Sequence, residues 1–200
     1  MNAARRTGTS LLLGLALLTG TAACSAEPAP GPGAAAPPRP TATTADPTPS
    51  GHPTDSAWLQ LMIPMDEGAV ALLDLAAAKS SDPALRSLSA RLRAAHRTEL
   101  TALTGLRERM GLPDTDVHKG HEMPGMVTAT DLERADAAEG AAFDRLLVTE
   151  IRDHLRQSAQ VSRSETTAGG SAEAKERATA LVAAREEQLA ELEEFPGVPG

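Results

Sequence analysis

"MIPMDEGAV", residues 62–70, is the stretch on which the fold turns. Met62, Ile63, Ala69 and Val70 give it the apolar spacing of an amphipathic helix, yet Pro64, Asp66 and Glu67 interrupt it. Whether Asp66 meets water or the interior decides whether this helix only packs or also carries chemistry. Followed outward, the pattern places Trp58, Met62, Met65, Ala69, Leu72 and Ala76 at helical spacing over residues 55–79. Pro64 clashes with the carbonyl of residue 60 in a continuous helix, so a kink or a fresh start is expected there.

Three further helical blocks follow. Asp82-Pro83 supplies an N-cap and a first-turn proline. The second helix then carries Leu85, Leu88, Leu92, Ala95, Leu103, Leu106 and Met110 before Gly111 and Pro113 stop it. Thr130 with Glu133 reads as a capping box opening a third helix that runs to about residue 167, through Leu132, Phe143, Leu146, Leu147, Ile151 and Val161. Gly169-Gly170 breaks it, and Ser171 caps a fourth with Ala178, Leu181, Val182, Leu189, Leu192 and Phe195, ended by Pro196. Two hairpins, 55–111 and 130–195, joined by a crossover at 112–129, predict an all-α four-helix bundle over 55–200.

Composition agrees. Trp58, Phe143 and Phe195 are the only aromatics besides histidine, so the core is leucine, alanine, valine and methionine, which disfavours sheets. A net charge of −8 argues against nucleic acid, whose phosphates need a basic surface. Arg5 and Arg6, the apolar run "LLLGLALL" at 11–18 and small residues after it read as a secretory signal peptide over 1–23. Thr21-Ala22-Ala23-Cys24 resembles the bacterial lipobox, which makes Cys24 the first mature residue and its lipid attachment point. A lone cysteine cannot form an internal disulfide, in keeping with that role. Residues 24–54, proline-rich and poor in large apolar side chains, form a disordered tether; His52 lies in it as a bystander. The expected location is the extracytoplasmic face of the membrane, held there by the lipid.

The two hairpins repeat each other. "LQLMIPMDEGA" (59–69) aligns with "LVTEIRDHLRQ" (147–157), matching Ile63 to Ile151, Met65 to Asp153 and Asp66 to His154. "RAAHRTEL" (93–100) aligns with "VAAREEQL" (182–189), which matches His96 to Arg185 and Glu99 to Gln188.

Each helix brings a polar residue to a similar level: Asp66, then His96 with Glu99, then Glu150 with His154, then Arg185. Buried charges are costly unless paired or bound to a cation. Two arrangements meet that demand. In one, carboxylates and imidazoles on facing helices hold zinc, iron or copper. In the other, Arg185 neutralises Asp66 or Glu150 as an internal ion pair and no metal is needed. The crossover offers a second metal candidate, His118, His121, Met123 and Met126, since imidazole and thioether suit copper. The alternative there is that Met123 and Met126 plug the end of the bundle around a Pro124-Gly125 turn.

"MIPMDEGAV", "HRTEL", "HEMPGM" and "GAAFDRLL" stand, in order, where the domain of unknown function 305 family carries its motifs, and residues 55–195 resemble that family as a whole. The resemblance implies a ferritin-like four-helix bundle in an exported actinobacterial protein, with metal, copper among the proposals, bound through paired histidines. At those positions this chain has Met65-Asp66 and Asp153-His154 instead, with His96 in place of the helix-two glutamine, Glu99 kept, and Arg185 in helix four. Two functions are therefore in view: an envelope lipoprotein with weak or vestigial copper binding, and a scaffold that meets a protein partner. An enzyme is not expected. His96-x-x-Glu99 reverses the Glu-x-x-His order of di-iron bundles, and no serine sits in a Gly-x-Ser-x-Gly elbow.

Overall fold

Proline at the first helical position opens both helices of the first hairpin. In the computed structural model, which describes residues 51–118 and 120–194, α1 spans Pro53–Lys79 and α2 spans Pro83–Arg109. Asp82 caps α2 by accepting from the Ala84 and Leu85 amides at 2.7 and 3.2 Å. His52 is no bystander: its Nδ1 accepts from the Thr54 amide and caps α1. The signal peptide, Cys24 and the tether up to residue 50, together with Phe195 and Pro196, lie outside the described residues, and the last two tether positions, Pro53 and Thr54, belong to α1. Pro64 does not restart α1, which runs on through it as one helix. One missing backbone hydrogen bond is outweighed by burial of Leu59, Met62, Ile63, Met65 and Ala69 on either side.

The third predicted helix is two. α3 spans Ala129–Ala137, α4 spans Gly140–Ala168 and α5 spans Ala172–Glu193. The capping box is formed by Thr128 and Asp131, two residues before the predicted pair: the Asp131 amide donates to Thr128 Oγ1 and the Thr128 amide to Asp131 Oδ2. Gly140, at φ +56°, makes the break between α3 and α4, a conformation that side chains with a Cβ rarely adopt. Lys79 closes the joint, donating to the Asp136 carbonyl and to Glu139 Oε1 at 2.5 and 3.0 Å.

α1 packs along both α2 and α4, and α4 along α5. The apolar interior forms two groups. One includes Leu72, Leu73, Leu88, Leu92, Phe143, Leu147, Ile151 and Leu192. The other includes Trp58, Leu59, Met62, Met65, Leu103, Leu106, Ala178 and Leu181. On every long helix the residues between the groups are polar: Asp66, His96 with Glu99, His154 with Ser158, and Arg185. The seam of α2 accordingly passes through His96, and Ala95, assigned to it from spacing, is exposed.

The crossover is fixed against the bundle where glycines remove a side chain. Met123-Pro124-Gly125-Met126 is a turn closed by the Met126 amide donating to the Met123 carbonyl at 3.1 Å, with Gly125 at φ +71°. Proline second and positive-φ glycine third is the type II pattern. Gly125 lies against the Asp153 carbonyl of α4, and Gly68 of α1 lies against the Val127 carbonyl. A Cβ on Gly68 would stand 2.5 Å from that oxygen. On helix propensity alone, Gly68→Ala stabilises by about 1 kcal/mol. The contact reverses the sign: urea unfolding should show a loss of about 1–3 kcal/mol. A stabilised Gly68→Ala protein would contradict this seating of the crossover.

Candidate metal and ion-pair centre

Arg185 is completely buried and is the largest such side chain among the described residues. A guanidinium has five N–H donors, and five acceptor contacts surround this one. Nε donates to Ser158 Oγ at 2.8 Å. Nη1 donates to Glu99 Oε2 at 2.9 Å and to Gln188 Oε1 at 3.1 Å. Nη2 donates to Asp66 Oδ1 at 3.0 Å and to Glu99 Oε1 at 2.5 Å. Glu99 thus receives the planar two-bond fork that arginine makes with carboxylates. The opening residue is answered: Asp66 faces fully inward, one turn beyond Met62, and its first partner is Arg185.

Two imidazoles complete the layer. His96 Nδ1 donates to the Leu92 carbonyl at 2.9 Å, because a carbonyl can only accept. Its Nε2 lone pair then faces His154 Nε2 at 3.1 Å. His154 Nε2 is also 3.5 Å from Asp66 Oδ1. Asp66, His96 and His154 each offer one donor atom, all within 4.8 Å of one another, and among the described residues they are the one such group. Two buried atoms in it have no hydrogen-bond partner, Asp66 Oδ2 and His154 Nδ1. His154 Nδ1 is turned toward the Gly125 backbone of the crossover turn, without a bond of normal geometry.

The repeat explains this assembly. Asp66 and His154 are mates across the two hairpins, as are His96 and Arg185, and Glu99 and Gln188, and all six meet here. Other sequence candidates do not join. Glu150 was expected to pair with Arg185; it is half-buried and bonds Arg134 of α3 at 2.8 Å. The unforeseen α3 supplies that competing cation. Asp153, next to the inward His154, points out and is exposed. His118, His121 and Met126 line a separate open groove of about 410 Å³, beside Glu67 of α1. The two rings there are 6.4 Å apart between centroids, and Met126 packs against the second apolar group. Ser158 and Gln188, whose side chains both accept from Arg185, were missed. Gln188 was legible as the repeat mate of Glu99; Ser158 carried no signal beyond its place one turn after His154.

The residues fit a metal ion. Around a tetrahedral ion at about 2.0–2.1 Å, two imidazole nitrogens stand roughly 3.3 Å apart, close to the spacing seen. His96 also has the backbone-bound Nδ1 typical of a ligating histidine.

The family described as a domain of unknown function (DUF305) matches residues 55–196. The chain belongs to the DUF305 family. Three solved structures share its fold. A DUF305 protein of Streptomyces coelicolor, named as a presumptive secreted protein, has TM-score 0.62 at 16% identity, covering 70% of this chain and 89% of its own. A DUF305 fragment from Deinococcus radiodurans has TM-score 0.64 at 15% identity, covering 72% and 96%. CopM in its Cu(II)-bound form has TM-score 0.60 at 17% identity, covering 70% and 93%. Comparison with curated proteins gives no match.

Titration of the layer has opposing signs. Burial, then the Arg185 charge, depresses His154 to about 3, and the same two causes hold His96 well below 6.5. Burial pushes Glu99 up to about 8 against the pull of Arg185, and it raises Asp66 likewise. A depressed histidine favours the fold above its unfolded value of 6.5 and loses that contribution as pH falls toward the folded value. Raised Glu99 favours the fold below 4.5 and loses that contribution as pH rises through 8. His154→Gln isolates the first effect. Between pH 7 and pH 5 the stability of this variant relative to the native chain should improve by about 2 kcal/mol in urea unfolding. A gap that does not move with pH would mean that His154 titrates normally in the folded protein.

Proposed function

We propose that this chain is a lipid-anchored, extracytoplasmic bundle that binds copper in its buried layer through Asp66, His96 and His154. The observation that carries the reading is the convergence of those three donor atoms within 4.8 Å inside a closed bundle. Imidazole and carboxylate suit copper and zinc alike, and copper is favoured by the fold shared with Cu(II)-bound CopM. The anchor rests on the lipobox-like Thr21-Ala22-Ala23-Cys24. An exported location is in keeping with the presumptive secreted DUF305 protein of the same fold. The protein works in this reading as a binding module and not as an enzyme.

A second reading is favoured by one observation: Arg185 already meets every acceptor it needs. A layer neutralised in this way can serve a metal-free scaffold that engages a protein partner at the envelope. Copper titration separates the two. The purified protein, with Cys24 replaced by Ser so that its thiol does not compete, should take up one copper equivalent against a chelator. His96→Leu with His154→Leu should abolish the uptake, and His118→Ala with His121→Ala should spare it. Loss only in the second pair would move the site to the crossover groove. No uptake by the unaltered layer would leave the scaffold.

A further inference from the structure

We infer that Arg185 is a tethered cation that makes this buried donor set discriminate between ions by valence, favouring a monovalent ion, Cu(I), over divalent ones. The inference rests on the copper-binding reading and adds a selectivity that the donor types alone do not give. Two imidazoles and a carboxylate, taken by themselves, prefer divalent ions of the copper and zinc type.

The geometry is specific. Asp66 Oδ1 is shared: it accepts from Arg185 Nη2 at 3.0 Å and stands 3.5 Å from His154 Nε2. An ion held between Asp66, His96 and His154 therefore sits close to a guanidinium that cannot lose its charge. Nor can Arg185 easily withdraw. Its other N–H groups are tied to Ser158, Glu99 and Gln188, contributed by α4, α2 and α5. Full burial of Arg185, Asp66, His96 and His154 keeps water from screening the repulsion.

Coulomb energy is proportional to the charge of the bound ion. Whatever factor Arg185 takes from the affinity of a monovalent ion, it takes the square of that factor from a divalent one. A second, independent sign is the repeat. The mate of Arg185 in the first hairpin is His96, itself a donor, so the chain has a permanent cation where its own symmetry offers a third imidazole as fourth donor.

The test compares the Cys24→Ser protein with its Arg185→Gln derivative, each titrated by chelator competition with Cu(I) and with Zn(II). Removing the charge should tighten Cu(I) by about 10-fold and Zn(II) by about the square of that factor, roughly 100-fold. Arg185→Lys, which keeps the charge, should retain the native preference for Cu(I). Equal tightening of both ions, or none, overturns the valence role while leaving copper binding intact. If the parent protein binds neither ion but Arg185→Gln binds Zn(II), the copper function fails and the role of Arg185 stands; if neither protein binds either ion, both fail. Should Arg185→Gln be unfolded alone, the readout becomes recovery of helical circular dichroism on adding Zn(II), and no recovery counts against the inference.

Discussion

One guanidinium holds this bundle's interior in register. Arg185 is buried without contact to water and collects acceptors from all four long helices: Asp66 on α1, Glu99 on α2, Ser158 on α4 and Gln188 on its own α5. Removing one partner of such a buried pair commonly costs about 3–5 kcal/mol, because the other charge is stranded. Apolar layers slide more readily than this one, since leucines have no fixed partners. The polar layer specifies which turn of α5 meets which turn of α1, α2 and α4.

The layer also divides the apolar interior. Leu72, Phe143 and Leu192 belong to one side, and Trp58, Leu106 and Leu181 to the other. Both sides are mostly aliphatic, with one aromatic each, and would tolerate repacking. Their separation keeps the imidazoles and carboxylates away from solvent, which is why His154 is held neutral and Glu99 is pushed toward protonation. Low dielectric makes each of these groups sensitive to any added cation.

Much of this was legible in the sequence, and the reasons are local. Helical spacing put Asp66 and Arg185 between apolar residues on both sides, leaving them no outward face. The same spacing, with its caps and breakers, set the order of the long helices, and the DUF305 resemblance implied the ferritin-like bundle. Glu150 failed because a stripe about 100° wide has an edge, and a residue at that edge goes to the nearest free cation. That cation, Arg134, belongs to α3, whose separation from α4 depends on Gly140 taking a left-handed conformation. Asp153 failed for a related reason: the family pairs adjacent residues, but on a helix neighbours diverge by about 100°, and only His154 faces in. The contact between the crossover turn and His154 had no sequence signal, since it depends on Gly125 approaching α4 in space.

Ring nitrogen-15 NMR of histidine-labelled protein tests the buried layer most directly, because it reads the proton on each imidazole atom. The account predicts a neutral His96 carrying its proton on Nδ1, and a neutral His154, both unchanged from pH 8 down to pH 5. Rings that gain a proton near pH 6.5 with the shifts of solvated imidazoles would contradict a closed layer organised around Arg185.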